Sequence, residues 1–561
     1  MNKNLAFADY LVFVVYFIIV AGYGYSIYSK RKKNEHDAKA YFLAEGTLTW
    51  WAIGASLIAS NISAEQFIGM SGEGFFLGIA VAAYEWIAAI ALIIIAIWFI
   101  PVYLKNHIYT MPQFLKTRYN ETVALIMAIF WLFLYVFVNL TSILYLGPVA
   151  INGLAGGQYL HVIMVGLAIF ALLISLGGMK VVAYTDVIQV AVLIIGGLVT
   201  TYIALTTVGE YFGVGSNAIA GFKALMKDAP EHFKMIIPRP GEGASQNDIN
   251  KYLTFPGLLS YVAGIWIINL NYWGCNQYIT QRALGADLQT ARTGILFAGF
   301  LKLLMPVIVM LPGIAAYVLY KNGQLPQLVG GKDGAYSAML TFLPTGLKGL
   351  SVAALTAAIV ASLAGKVNSI STIYTLDIHK KYFQTNADER KQVRIGRMAV
   401  FAAMILAVLF TWTDVLGIGG EGGFTFIQKY TGFISPGVFA MFLLGMFWKR
   451  TTGAAAIAGV IAGFVLSVLF NEFAPALFGN ETLLYTAYPN GKGAYEIPFH
   501  ICMGLSFFFT MLLMVGMSMF GPKINPKAFE LDKTMFKLKP STTVLIVVTV
   551  LIIFALYVKF W

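Results

Sequence analysis

Charged residues are scarce in this chain of 561 residues: Asp, Glu, Lys and Arg together make up 11% of it, whereas 59% is hydrophobic. Soluble domains contain about a quarter charged residues, so this composition excludes an ordinary soluble protein. The formal net charge is +12, but the basic residues cluster in short connections between apolar runs. That distribution is typical of loops that set membrane topology, and we therefore expect no nucleic-acid partner.

Cysteine is nearly absent as well, and both cysteines, Cys275 and Cys502, lie in apolar stretches. A disulfide framework is therefore not expected. The sequence also has no His/Cys/Asp spacing for a metal, no glycine-rich phosphate loop and no nucleophile–base arrangement, so we do not expect an enzyme. We expect residues 9–28 to form a first membrane anchor rather than a cleavable signal peptide, since the basic run 30–33 follows them.

Apolar runs of about 20 residues, in contrast, recur along the whole chain and have the length of a membrane-spanning helix. They predict an all-α integral membrane protein with about 14 transmembrane helices. Basic residues, among them Arg118 and Arg282, fall on alternate connections, which predicts that both termini lie outside the cytoplasm. The runs lie near residues 9–28, 47–72, 75–103, 121–151, 158–177, 180–204, 253–275, 289–320, 349–376, 393–413, 422–447, 452–471, 497–519 and 542–560.

The run 47–74 is interrupted in its middle by polar residues, which are Ser60, Asn61, Ser63, Glu65 and Gln66. Polar groups at bilayer depth are costly unless they are buried in protein or line a cavity. A break of this kind is typical of the discontinuous helices that bind substrates and ions in secondary transporters. A seam of small residues between helices is the alternative interpretation, which Gly54 and Ala59 would allow.

The run 253–275 carries a similar polar interruption at Asn269, Asn271 and Tyr272. Each of the two interrupted runs begins a series of five helices, so the second series enters the membrane from the opposite side, as in an inverted repeat. We therefore divide the chain into a first helix with a basic cytoplasmic loop (1–46), a first repeat (47–204), an extracellular loop (205–252), a second repeat (253–447) and three further helices (448–561).

Glu85, Lys302 and Gln428 are further polar side chains inside apolar runs. A neutral sugar needs both hydrogen-bond donors and acceptors for its hydroxyls, and its apolar ring faces stack on aromatic side chains. Amide, carboxylate and ammonium groups near Tyr and Trp suit such a ligand. Two alternatives stay open here: a Glu85–Lys302 ion pair without a substrate role, and a Lys302 that reaches the cytoplasmic surface.

Several long motifs resemble the sodium/solute symporter family, and most nearly its bacterial sodium/galactose and sodium/glucose symporters. The motifs extend over nearly the whole chain and are WWAIGASLIASNISAEQFIGMSG, YEW at 84–86, YVFVNLTSILYLG, YTDVIQV, NYWGCNQYITQR, FIQKYTGFISPG and LLGMFWKR. The resemblance implies a five-plus-five inverted-repeat (LeuT-like) core with one helix before it and three after it. It also implies import of a hexose, galactose or glucose, with sodium by alternating access across the inner membrane of a bacterium.

The resemblance further implies residue roles. The sugar-contacting residues would be Gln66, Glu85, Asn269, Lys302 and Gln428, with Asn61 close by. Tyr272, backed by Trp273, would be an aromatic gate on the inner side of the sugar, and Phe424 would help to close the outer side. One position departs from the pattern, because Ala88 stands where relatives carry a small polar residue, and this leaves the preferred sugar open.

The implied sodium ligands are the carbonyls of Ala59, Ile62 and Ala358 and the hydroxyl of Ser362. Relatives carry a second hydroxyl beside the last of these, where this chain has Ala361. Sodium is a hard cation that takes about five or six oxygens, so the loss of one weakens the site without abolishing it.

Lys366 follows Ser362 by four residues, and residues at this spacing share a helix face. Because helical side chains lean toward the N-terminus, we expect the ammonium to reach back toward the cation site. The alternatives are a lysine that snorkels to cytoplasmic water and one that pairs with Asp186. A lysine at the cation site would weaken sodium coupling, or replace it with proton-coupled or uncoupled transport.

Two other functional classes deserve comparison with a transporter. An ion channel needs a continuous lined pore, and broken, amide-rich helices argue against one. A membrane sugar sensor, which binds sugar without concentrating it, is not separated from a transporter by any residue in the sequence. The expected partners are a hexose, sodium and the lipid bilayer, and the sequence makes no prediction of oligomeric state.

Overall fold

The structure is a computed structural model, and it describes residues 5–30, 48–63, 65–154, 158–325, 328, 331–386, 388–413, 423–481 and 484–561. Within these ranges, 11 helices are long and apolar enough to cross a membrane. A helix pair bent by 50°, Gly423–Gly432 with Ser435–Phe447, forms a twelfth candidate span. The shorter helices Trp50–Asn61 and Leu160–Ser175 are also apolar. Together these elements match the predicted count of about 14 spans.

In chain order the α-helices are α1 (Phe7–Lys30), α2 (Trp50–Asn61), α3 (Ser71–Leu77), α4 (Ala83–Ile94), α5 (Ile100–Lys105), α6 (Met111–Arg118), α7 (Glu121–Phe133), α8 (Thr141–Leu154), α9 (Leu160–Ser175), α10 (Met179–Tyr211), α11 (Ala218–Asp228), α12 (Gln246–Thr254), α13 (Gly257–Leu259), α14 (Ile265–Cys275), α15 (Gln277–Leu284), α16 (Leu288–Lys302), α17 (Met305–Lys321), α18 (Ala335–Leu340), α19 (Leu347–Thr372), α20 (Glu389–Trp412), α21 (Gly423–Gly432), α22 (Ser435–Phe447), α23 (Gly453–Val468), α24 (Ala474–Phe478), α25 (Phe499–Met519) and α26 (Pro540–Phe560).

Wider π-helical turns extend or join several of these helices, at Glu65–Met70, Ile95–Phe99, Leu134–Leu140, Ser260–Gly264, Ile373–Phe383 and Leu469–Phe473. Short 3-10 turns lie at Gly78–Ala82, Pro230–Phe233, Gly331–Gly334 and Lys533–Phe536. Two short strands, β1 (Tyr488–Pro489) and β2 (Tyr495–Glu496), pair antiparallel. Turns of π-helix leave backbone groups without the regular pairing, and they occur frequently at functional sites.

The described helices form two compact units, and the first comprises residues 1–79, 127–233 and 277–426. At its centre runs α19, nearly all of whose side chains are buried. It packs along α1, α2, α9 and α10. Small residues permit this close contact, since a methyl group on Gly196 of α10 would lie 2.6 Å from Cβ of Ala354 in α19.

A carboxylate of α1 caps the N-terminus of α19 within this first unit. Asp9 is buried, and its Oδ1 accepts hydrogen bonds from the backbone N–H groups of Gly346 at 2.7 Å and Gly349 at 2.8 Å. The first N–H groups of a helix have no intrahelical partner, and negative charge is favourable there. The cap explains an acidic residue inside an otherwise apolar anchor and fastens that anchor to the central helix.

The second unit comprises residues 80–126, 234–276 and 427–561. In it α25 packs on α22 and α23, while α14 packs on α4 and α22. A buried polar contact joins the start of α4 to α25, where the Tyr84 hydroxyl lies 2.8 Å from Nε2 of His500. The division into two inverted repeats remains a prediction, because these units gather helices by mutual contact and each takes segments from both proposed repeats.

Arg118, which its basic surroundings assign to a cytoplasmic loop, is instead buried in the second unit. Its Nε donates to the carbonyl of Gly445 at 2.7 Å, Nη1 to that of Thr451 at 3.1 Å and Nη2 to that of Trp448 at 3.1 Å. Two of these carbonyls belong to the residues that end α22, where backbone acceptors have no intrahelical donor. The guanidinium therefore substitutes for the missing N–H groups.

Replacing Arg118 with alanine is expected to destabilise the protein by about 2 kcal/mol, because the carbonyl of Gly445 loses its side-chain donor and those of Trp448 and Thr451 each lose one of two. The measurement is the thermal unfolding midpoint of the purified protein in detergent. Arg390→Ala is the matched control, since that arginine is exposed. Equal midpoints for Arg118→Ala and wild type would show that these carbonyls do not need the guanidinium.

Candidate functional site

The break predicted in the first interrupted run is confirmed. Helix α2 ends at Asn61, and Ile62 has an extended backbone with φ −80° and ψ 108° before a π-helical turn begins at Glu65. The N–H of Ile62 still bonds to the carbonyl of Ile58 at 2.8 Å, and this bond closes the regular part of the helix.

Local side chains take over the N–H groups that a continuous helix would use. The N–H of Ser63 would bond to the carbonyl of Ala59, but it donates to Oε1 of Gln66 at 3.2 Å. The N–H of Glu65 would bond to the carbonyl of Asn61, but it donates to Oγ of Ser63 at 3.2 Å. The carbonyl of Ala59 therefore lacks the donor that a continuous helix would supply, and a carbonyl freed in this way suits a hard cation.

Three of the six predicted sugar residues, Asn61, Gln66 and Lys302, are buried in the first unit. The ammonium of Lys302 donates to Oδ1 of Asn61. Oε1 of Gln66 also lies 3.4 Å from the hydroxyl of Ser63, which orients its amide. The alternative in which Lys302 snorkels to the cytoplasmic surface is wrong, because only 1% of this residue is exposed.

The other three predicted sugar residues belong to the second unit, where Glu85 and Asn269 are buried and Gln428 is half-buried. The interruption predicted around residues 269–272 is wrong in position, because α14 stays helical to Cys275 and the backbone becomes extended only at Asn276. The amide N–H groups of Asn269 and Asn271 find acceptors without a break in the helix, and Nδ2 of Asn271 donates to the hydroxyl of Ser435 at 3.1 Å. Asn269 donates from Nδ2 to the carbonyl of Ile265 at 2.9 Å, one turn back in its own helix.

The predicted gate residues are aromatic side chains at two separate positions. In the second unit Tyr272 and Trp273 are in edge contact, with ring centroids 5.2 Å apart. In the first unit Phe424 is buried against Gly69 of the π-helical turn. A methyl group on that glycine would lie 2.6 Å from Cβ of the phenylalanine, so only glycine permits this approach.

The residues implied as sodium ligands lie in the first unit. Ala59, Ile62, Ala358 and Ser362 are all buried. The hydroxyl of Ser362 donates to the carbonyl of Ser60 at 3.3 Å, which joins α19 directly to the break. The buried methyl group of Ala361 supplies no oxygen here. The remaining oxygens fit the donor set of a hard cation.

Lys366 reaches Ser362, as the helical spacing predicts. Its Nζ donates to Oγ of Ser362 at 3.0 Å and lies 5.0 Å from the centroid of the Tyr278 ring. The residue is 1% exposed, so the alternative of a lysine in cytoplasmic water is wrong. The alternative of a pair with Asp186 is also wrong, because that carboxylate is engaged by Ser56 and Arg282.

Arg282 is a site residue that the sequence reasoning missed, since its basic surroundings place it in a loop. It is fully buried, with Nη2 3.8 Å from Oδ2 of Asp186 and Nε donating to the hydroxyl of Ser56 at 2.8 Å. The same hydroxyl donates to Oδ2 of Asp186 at 2.5 Å. This network ties α2, α10 and α15 together. An acidic residue inside the apolar motif YTDVIQV was the available signal.

A second cluster that the sequence did not single out surrounds Glu73 on α3. Its Oε1 lies 2.6 Å from Nζ of Lys332 and accepts a hydrogen bond from the hydroxyl of Thr425. Nearby, Oδ2 of Asp333 accepts from the N–H of Gly423 at 2.8 Å. Burial raises the pKa of Asp333 to about 6, although this hydrogen bond and the adjacent ammonium oppose the rise. The cluster fastens the start of α21 to the first broken span.

A broken helix with a freed carbonyl, surrounded by buried polar side chains in a bundle of apolar helices, defines a multi-pass membrane transporter of the discontinuous-helix class. The chain belongs to the sodium:solute symporter family, whose sequence profile matches residues 41–463. The predicted family is thereby confirmed, and so is the expectation that the chain is not an enzyme.

The relatives and solved structures agree with this assignment. The chain is 41% identical to the sodium/glucose cotransporter of Vibrio parahaemolyticus, over 100% of this chain and 99% of the relative. It is 34% identical to the mouse sodium/myo-inositol cotransporter 2, over 83% of this chain and 70% of the relative. A solved Na+-coupled sialic acid symporter in a substrate-bound, outward-open state superposes with a TM-score of 0.76 at 18% identity, covering 93% of this chain and 99% of that one. This likeness confirms the predicted fold class.

Proposed function

We propose that this chain is a secondary active transporter that imports a hexose together with sodium by alternating access. The break after α2 is the observation that carries the proposal, because it frees the carbonyl of Ala59 beside a hydrogen bond from Ser362 to Ser60. The family assignment and the relatives named for sodium/glucose and sodium/myo-inositol cotransport support it.

The proposed sugar contacts are Gln66, Glu85, Asn269, Lys302 and Gln428, with Asn61 close by. They supply both donors and acceptors, as sugar hydroxyls require. Aromatic faces for the sugar ring and for gating would come from Tyr272, Trp273 and Phe424.

Sodium is the second substrate in this proposal. Its ligands would be the carbonyls of Ala59, Ile62 and Ala358 and the hydroxyl of Ser362. The same broken segment carries Asn61 and Gln66, so each substrate orders a segment that the other also needs. Two ligands that favour one arrangement of a shared element are energetically coupled, and the coupling acts equally in both directions.

The chain is a multi-pass membrane protein, and we place it in the plasma membrane of a bacterium. The Vibrio relative supports the bacterial assignment. An even number of spans with basic loops inside would leave both termini outside the cytoplasm.

Uptake of radiolabelled galactose and glucose into proteoliposomes tests the proposal. We expect accumulation above equilibrium under an inward sodium gradient, and loss of that accumulation when choline replaces sodium or an ionophore dissipates the gradient. Empty liposomes are the control. Accumulation driven by a proton gradient alone would replace sodium with protons in the proposal, and sugar binding without accumulation would identify a sensor. Competition by unlabelled sugars identifies the preferred hexose.

A further inference from the structure

We propose that Lys366 is a tethered cation that competes with sodium for the hydroxyl of Ser362 and so holds the sodium affinity of this protein low. The inference rests on the sodium coupling proposed above and concerns this chain's own side chain at that site. Its basis is the position of the ammonium, which is within hydrogen-bond distance of an implied sodium ligand.

The hydrogen bond places the competing charge on the ligand itself. Nζ of Lys366 lies 3.0 Å from Oγ of Ser362 and donates to it. The hydroxyl of Ser362 donates its own hydrogen to the carbonyl of Ser60, so only its oxygen lone pairs are available to a cation. Both the ammonium of Lys366 and a sodium ion would need those lone pairs. Sodium bound to the same oxygen would lie next to a positive charge in a buried region, where screening by solvent is weak.

The surroundings hold the ammonium at this position. The face of the Tyr278 ring, 5.0 Å away, gives a cation–π contact that is strengthened by desolvation. The carboxylate of Glu65 attracts the ammonium and the guanidinium of Arg282 repels it. Asp186 is occupied by its own network with Ser56 and Arg282. The hydrogen bond to Ser362 and the contact with the Tyr278 ring are thus the two contacts that hold the ammonium in place.

The second departure at this site acts in the same direction. Ala361 is buried next to Ser362, and its methyl group supplies no oxygen where relatives carry a hydroxyl. An ammonium carries its own positive charge on a covalent tether and needs fewer surrounding oxygens than a free hard cation. One fewer oxygen and one added charge both favour the tethered cation over sodium.

Sodium binding, measured without transport, tests the proposal. Purified protein in detergent is titrated with sodium chloride at constant ionic strength made up with choline chloride, and both tryptophan fluorescence and the thermal unfolding midpoint are followed. In Lys366→Met, which keeps the length of the side chain and removes its charge, we expect the sodium dissociation constant to fall at least about tenfold. Lys366→Arg keeps the charge and is expected to stay close to wild type.

Two outcomes overturn the proposal: an unchanged sodium dissociation constant in Lys366→Met, or an equal gain in Lys366→Arg. Ala361→Ser provides a second test, because it restores the hydroxyl at position 361. We expect Ala361→Ser to lower the sodium dissociation constant by a smaller factor when Lys366 is present than when it is replaced by methionine. Equal factors in the two backgrounds would also overturn the proposed competition.

The uptake assay separates this inference from the proposed function. If the wild-type protein accumulates sugar with sodium but Lys366→Met binds sodium with unchanged affinity, the tethered-cation proposal is wrong and the proposed transport function stands. Absence of any sodium response in wild type and in every variant removes both.

Discussion

Replacing Arg282 with alanine is expected to abolish most folded protein, because it leaves the carboxylate of Asp186 without its counter-charge in the interior. Both side chains are fully buried, with Nη2 and Oδ2 3.8 Å apart. Removing one member of a buried ion pair costs about 3–5 kcal/mol. The total stability of a folded domain is only about 5–15 kcal/mol, so a loss of that size is a large share of it.

The hydroxyl of Ser56 connects this ion pair to α2, the helix that ends at the proposed substrate-binding break. It donates to Asp186 and accepts from Nε of Arg282, and it belongs to α2, five residues before that helix ends at Asn61. Loss of the guanidinium therefore also frees the helix whose end supplies the proposed ligands. We expect any Arg282→Ala protein that still folds to bind sodium more weakly than wild type.

The yield of monodisperse protein in size-exclusion chromatography and its thermal unfolding midpoint measure the effect. Arg394→Ala, at an exposed arginine, is the control. The double variant Asp186→Asn with Arg282→Gln is expected to lose less stability than Asp186→Asn alone and Arg282→Gln alone lose in sum, since no charge is then left unpaired. A single variant as stable as wild type would contradict the role of the pair.

Substituting alanine for either Gln66 or Gln428 is expected to remove most sugar transport while the protein still inserts in the membrane. Each amide can both donate to and accept from a sugar hydroxyl, and a lost hydrogen bond in a buried site costs about 1–3 kcal/mol. Those energies correspond to a fall in kcat/KM of about 5- to 150-fold.

The two variants are expected to differ in their response to sodium. Oε1 of Gln66 also accepts a hydrogen bond from the N–H of Ser63. In a continuous helix this N–H would bond to the carbonyl of Ala59, so the contact keeps that carbonyl available. Gln66→Ala should therefore raise the sodium concentration needed for half-maximal uptake, whereas Gln428→Ala should leave it unchanged. Initial rates of hexose uptake at varied sodium and sugar concentrations measure both effects, with Gln324→Ala, at an exposed glutamine, as the control. Wild-type kinetics in both variants would move the sugar site elsewhere.

The sequence by itself determined the features that depend on neighbouring residues. Spans follow from the length of apolar runs, and the break after α2 follows from polar residues that capture the N–H groups of their own segment. The contact between Lys366 and Ser362 likewise follows from a spacing of four residues on one helix. The family motifs are also local strings, so the family was predictable before any helix was placed.

Only the tertiary structure decided which distant polar groups meet. Ser56 and Asp186 are 130 residues apart in sequence, and Lys302 and Asn61 are 241 apart, yet each pair forms a buried hydrogen bond. Basic residues near Arg282 suggested a loop, because charge alone does not reveal a buried partner. Asn271, in the second predicted interruption, likewise donates to Ser435, 164 residues away, and α14 continues to Cys275. Such pairings depend on the packing and rotation of whole helices about one another, and hydropathy and periodicity within a single helix do not contain that information.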